Sequence, residues 1–191
     1  KGLSPDIYLS NRPAGGAWSN KETVDDGPAE TPVGNPAVAA DPAGDVVVVW
    51  QDSRSGSGDW DIYAANRTAT GQWSDNVRVD DDSGSANQVM PAVAVDPSGN
   101  AYALGADNRG GDSDVEFAYR PVGGTWAPNL RVDDDSGFAE QTASSIGVDT
   151  AGNAVALWLD KRTGAWQVLS SAARPADLAM PERRFLPLIV R

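Results

Sequence analysis

A ten-residue phrase, Pro36-Ala37-Val38-Ala39-Ala40-Asp41-Pro42-Ala43-Gly44-Asp45, returns as Pro91-Ala92-Val93-Ala94-Val95-Asp96-Pro97-Ser98-Gly99-Asn100. It returns again, loosened, as Ser145-Ile146-Gly147-Val148-Asp149-Thr150-Ala151-Gly152-Asn153. The aspartates of the phrase lie 55 and 53 residues apart, and a second marker, Gly-x-Trp at Trp18, Trp73 and Trp126, keeps the same spacing. Two independent markers with one period mean a structural unit repeated along the chain.

One unit reads as four short strands. The first, 37–40, is small and β-branched, fit for a crowded inner position. Asp41-Pro42-Ala43-Gly44 makes a turn, with proline setting φ and glycine tolerating the closing conformation. The second strand, 45–51, carries Val46-Val47-Val48-Val49-Trp50, apolar throughout, as a strand covered on both faces requires. A Gly/Ser loop leads to the third, 60–65. The fourth, 76–79, runs into the acidic loop Asp80-Asp81-Asp82-Ser83-Gly84. The fold class is therefore all-β, in four-stranded antiparallel repeats like the blades of a β-propeller.

The units divide the chain into a partial blade at 1–35 (third and fourth strands only), blades at 36–90 and 91–143, and a partial blade at 144–172. A linker and an apolar C-terminal strand follow at 173–191. That makes about three to three and a half blades, an incomplete ring, since propellers close with about 4–8. Lys1 to Pro5 lack the apolar stretch of a signal peptide, so the chain reads as a processed form or a piece of something longer.

The pattern P-A-V-A-x-D-x-x-G, an apolar run, W-x-D-x-R, D-I-Y and G-x-W resembles the blades of bacterial sialidase-like, Asp-box-type β-propellers over roughly residues 6–170. The boxed Ser and Asp of that family are missing while Gly71 and Trp73 remain. The resemblance implies a blade fold and an extracellular setting. It carries over no activity.

The chain has 15 Lys+Arg against 27 Asp+Glu, a net charge of -12. Phosphates and anionic membranes repel such a chain, which excludes nucleic acid as a partner. No apolar run is long enough to span a bilayer. With no Cys and no His, thiolate chemistry and the commonest general base and transition-metal ligand are absent. No catalytic constellation stands out.

Three patterns bear chemistry. Asp52/Arg54, Asp107/Arg109 and Asp160/Arg162 follow the second strand of each unit. A guanidinium fork suits a substrate carboxylate, but a pair recurring in every unit reads first as a loop brace. Asp80 with Asp82 and Asp133 with Asp135, each ahead of a glycine, offer hard oxygens to calcium; the alternative is a solvated turn capped by its own aspartates. The tryptophans read as core, Gly105 replacing the one expected between Trp50 and Trp158, with Tyr102 to offset the lost bulk. Tyr63 and Tyr119 read as equivalent packing positions. Asn66-Arg67-Thr68 is a glycosylation sequon.

The favoured expectation for function rests on the ends. A lone chain of this kind exposes raw sheet borders, and the apolar tail, Phe185, Leu186, Leu188, Ile189 and Val190, reads as a strand for donation. That predicts a secreted or surface-exposed, non-catalytic structural protein whose copies join head-to-tail, as a filament if the contact does not close. The alternative is a glycan-binding module or a sialidase-like glycoside hydrolase fragment.

Overall fold

The computed structural model describes residues 6–56, 58–174 and 186–187. Fourteen strands run through them, and no helix occurs among the described residues. They are β1 (Tyr8–Leu9), β2 (Glu22–Thr23), β3 (Val33–Ala40), β4 (Val46–Gly56), β5 (Asp59–Arg67), β6 (Val77–Arg78), β7 (Gln88–Val95), β8 (Ala101–Asp107), β9 (Asp114–Arg120), β10 (Leu130–Arg131), β11 (Gln141–Val148), β12 (Ala154–Asp160), β13 (Gln167–Ala173) and β14 (Leu186–Pro187). Strands β3 to β6, β7 to β10 and β11 to β14 form three four-stranded antiparallel sheets in sequence order, and β1 with β2 forms a two-stranded one. These are the first, second and third blades and a partial blade before them.

The repeated turn has a physical basis visible in all three blades. Gly44, Gly99 and Gly152 sit at positive φ, where a side chain would be strained. The amides of Gly44, Gly99 and Gly152 donate back to the carbonyls of Asp41, Asp96 and Asp149. The aspartate side chains take the amides beyond the turn, Asp45 at 2.9 Å, Asn100 at 3.1 Å and Asn153 at 2.9 Å.

The inner strand of each blade starts earlier than the repeated phrase. The boundaries at 35/36, 90/91 and 143/144 fall inside β3, β7 and β11. Each inner strand also carries a register shift at the same place, between Gly34 and Ala37, Val89 and Ala92, and Thr142 and Ser145. Asn35 and Met90 take φ of 48° and 54° in the first two. Such bulges bend a strand and re-aim its side chains. Asn35 Nδ2 donates to Gln51 Oε1 at 2.6 Å, and the Met90 amide reaches the same oxygen at 3.3 Å. The kinked inner strands of adjacent blades are thus held together.

The tail resolves one expectation differently from the sequence. Leu186 and Pro187 pair antiparallel with Ala172 and Ser171, so β14 completes the chain's own third blade. Donation of this strand to another copy is corrected accordingly: the β13 edge it would leave open is the edge it covers. Phe185, Leu188, Ile189 and Val190 lie outside the described residues.

Apolar layers fill the spaces between blades. Trp50, Val48 and Ala65 meet Ile7, Val24 and Val33 at the partial blade. Val49, Ile62, Ala64 and Val79 meet Ala103 and Ala118 between the first and second blades. Tyr102, Leu104, Val115 and Phe117 meet Ala154, Ala156 and Trp158 between the second and third. The middle layer is made of the smallest side chains.

Candidate functional site

The three Asp–Arg pairs brace the loops at one end of the blades. Arg54 binds Asp52 at 2.7 Å, Arg109 binds Asp107 at 2.6 Å and Arg162 binds Asp160 at 2.7 Å. Each arginine also crosses to the preceding unit, reaching Asp26 at 2.8 Å, Asp81 at 2.6 Å and Asp134 at 2.6 Å. Asp26 and Asp81 go further: each exchanges backbone-to-side-chain hydrogen bonds with Asn76 or Asn129 of the following blade. The pairs are clips between blades as well as loop braces. With both guanidinium edges turned to carboxylates, they have little left for a ligand.

The aspartates considered for calcium have divided duties. Asp80 accepts from the Ile62 amide at 2.8 Å and from Arg78 at 2.7 Å. Asp133 does the same with Val115 at 3.0 Å and Arg131 at 2.8 Å. Asp82 and Asp135 instead take the amides of Gly84 and Gly137, both at 3.1 Å. Burial works against the charge of Asp82, but the Gly84 and Ala86 amides outweigh it and hold its pKa below the usual carboxylate value. The Gly137 amide, then that of Ala139, pulls Asp135 down against its burial. Among the described residues no group of three acidic side chains is placed to hold a metal ion. Asn66, the sequon residue, accepts from Arg120 at 3.2 Å through its amide oxygen.

The site that stands out is where the second blade departs from the other two. In the first blade Trp50 faces Tyr63 across β4 and β5, and in the third Trp158 faces Leu169. The second blade has Gly105 facing Glu116. Tyr63 and Tyr119 are therefore not equivalent: Tyr119 faces Tyr102, and the counterpart of Tyr63 is an acid. Tyr102 does not refill the space either, because its ring packs toward the third blade. Gly105 faces the first, where an added Cβ would lie 3.6 Å from Ile62 Cγ1.

The missing indole leaves a pocket of about 20 Å³, lined by Ile62, Gln88, Gly105, Asp107, Glu116 and Asn129 among others. A space of that size holds about one water. Burial pushes the Glu116 carboxyl up to about 8, against the pull of Arg109, with Asp107, Asp81 and Asp114 adding repulsion. Glu116 is thus mostly neutral at pH 7 and can donate a hydrogen bond. Asp114 beside it is raised to about 6, chiefly by burial, against Arg131. Gln88 is only 2% exposed, and its carbonyl oxygen is buried with no partner. Its amide nitrogen leans toward Asp82 without a hydrogen bond of normal geometry, whereas Gln141 Nε2 reaches Asp135 at 3.4 Å and leaves its own oxygen without a partner.

The tryptophans split by position. Trp50 and Trp158 are buried and donate from Nε1 to Asp52 at 3.0 Å and Asp160 at 3.4 Å. Trp18, expected in the core, is 69% exposed. It belongs to the two-stranded partial blade, the first sheet among the described residues. Sequence reading registered Gly105 but missed Glu116, because the register that opposes them is not written in either strand.

Comparison with protein-family models gives no match, and comparison with curated protein sequences gives none. Solved structures do match. An N-acetylgalactosamine deacetylase from F. plautii, in complex with blood group B trisaccharide, aligns at a TM-score of 0.56 with 9% identity, over 87% of this chain and 57% of that one. An endo-arabinase from Bacteroides thetaiotaomicron aligns at 0.51 with 12% identity, over 98% and 66%. A Penicillium chrysogenum alpha-L-arabinanase complexed with arabinobiose aligns at 0.50 with 16% identity, over 86% and 54%. The chain thus spans between about half and two thirds of their length. The expected non-catalytic, self-assembling subunit is overturned: the structures that share the fold are carbohydrate-active enzymes, and the tail meant for a neighbour pairs within its own sheet. The chain has the all-β fold of the β-propeller glycosidases, as an incomplete ring of four-stranded antiparallel blades.

Proposed function

We propose that this chain is part of a glycoside-hydrolase-like propeller that binds carbohydrate outside the cell, and that the pocket between its first and second blades takes a hydroxyl of the glycan. The observation that carries this reading is the Gly105–Glu116 pair, which stands where the other blades have Trp50–Tyr63 and Trp158–Leu169. A sugar hydroxyl is at once a donor and an acceptor. Glu116, neutral near pH 7, supplies a donor, and the orphan oxygen of Gln88 supplies an acceptor. Burying a polar atom without a partner costs about 1–3 kcal/mol, and a hydroxyl seated in the pocket would relieve that cost. The solved enzymes that share the fold include one described in complex with a trisaccharide and one with arabinobiose.

A neutral carboxyl is also the group that protonates a departing glycosidic oxygen. Hydrolysis needs a second, free carboxylate, and Asp80 and Asp107 in this pocket are each held by an arginine. Binding is therefore the stronger form of the reading. Calorimetric titration with arabinobiose and with blood group B trisaccharide tests it, beside Gly105→Ala, whose methyl takes up about the space of one water. Binding by the parent protein, lost in the folded variant, is the expected result. No binding to either sugar, or equal binding by both proteins, would overturn the reading. Reducing ends released from arabinan would extend it to hydrolysis.

A further inference from the structure

At the opposite end of the same junction a cation is buried without a counter-ion. Arg120, the last residue of β9, is 9% exposed. Its Nη1 donates to Asn66 Oδ1 at 3.2 Å, its Nε is buried with no acceptor, and its guanidinium lies 5.6 Å from the Trp126 ring centroid. Burial lowers its pKa, and no carboxylate offsets that effect.

The preceding junction shows what is missing. Arg67 ends β5 as Arg120 ends β9, lies 5.0 Å from the Trp73 centroid, and is ion-paired with Glu22. Its Nε also lacks an acceptor, so the difference between the two arginines is the neutralising charge. Glu22 is the first residue of β2 and pairs with Leu9; the first residue of β6, pairing with Ala64, is Val77. The repeat has replaced the carboxylate with a valine and kept the arginine. A buried guanidinium without an anion is costly, and its fork matches an oxyanion.

Space for a ligand adjoins it. On one side about 240 Å³ opens beside Asn66, Thr68 and Val122, and on the other about 470 Å³ opens beside Ser74, Thr125 and Trp126. Asp45 and Asp75 stand on the two rims, and neither is ion-paired with Arg120. We propose that Arg120 anchors an oxyanion-binding site in this groove, its ligand chemistry being that of a carboxylate on an acidic sugar or of an inorganic oxyanion. The site is separate from the Glu116 pocket, and Gly105→Ala, whose Cβ meets only ordinary contacts, leaves it intact.

The test titrates the protein with glucuronate, sulfate and neutral glucose at constant ionic strength, by calorimetry and by thermal denaturation. The parent protein binds at least one of the two anions, with a rise in Tm, and glucose has no such effect. Equal binding of sulfate and glucuronate marks a general oxyanion site; glucuronate alone marks a sugar-acid site. Val77→Glu restores the internal partner: anion affinity falls at least tenfold while Tm without ligand rises. Arg120→Gln, if folded, loses binding to the same extent. The proposal fails if neither anion binds the parent protein, or if Val77→Glu binds as tightly as the parent.

Discussion

The junction between the second and third blades and the junction between the first and second are built from the same repeat and have opposite characters. In the former, Trp158, 3% exposed, is pressed against Phe117, Leu104 and Val115. In the latter, the place of the tryptophan is taken by Gly105, and the layer is valine, isoleucine and alanine. One junction is plugged. The other has a neutralised acid in a water-sized pocket at one end and an unpaired arginine in a groove at the other. A repeat that must bury its faces can relax its packing at one junction while the neighbouring ones hold the array together, and the relaxed junction carries the neutralised acid and the arginine without a counter-ion.

The sharpest break of this comparison is Trp158→Ala, which should cost about 3–5 kcal/mol by removing a buried indole from a packed layer. Ile62→Ala, on the loose side, should cost nearer ~2 kcal/mol, because the space around it is already partly open. Urea unfolding of both variants compares the two junctions directly; equal losses would erase the distinction.

Glu116→Gln comes next and has a pH signature. The carboxyl is raised from 4.5 to about 8 in the folded protein, so the native state holds its proton more tightly than the unfolded chain does. Stability associated with this group is present below about pH 4.5, lost as pH rises, and gone above about pH 8. The variant should therefore gain stability relative to the parent protein as pH climbs through that window. A stability difference that stays flat from pH 4 to 9 would mean that Glu116 titrates normally. The smallest effect is expected from Gly105→Ala. The added Cβ meets only ordinary contacts and restricts the unfolded chain, a gain of about 0.5–1 kcal/mol and ~1–4 °C in Tm.

Much of the site was hidden in the sequence for a geometric reason. The Asp–Arg pairs are two residues apart and visible on sight, but their second partners, Asp26, Asp81 and Asp134, are 28 residues away in the preceding unit. Aligning the units by residue type equated Tyr63 with Tyr119, whereas pairing equates Tyr63 with Glu116. The loss of Glu22 at Val77 is likewise legible only once β2 and β6 are known to play the same part.

The sequence by itself determined the unit: its period, its four strands, its Asp-Pro-x-Gly turn and the all-β class. These are local consequences of turn chemistry and alternating burial, repeated until chance is excluded. Tertiary structure decided the rest. It put Leu186 and Pro187 against β13 to close the third blade, bent the inner strands at Asn35 and Met90, and set Glu116 and Arg120 in places their repeat mates do not share. The reason is that what a side chain faces across a sheet, or across two packed sheets, depends on register and stacking between distant segments, and no local window of residues carries that information.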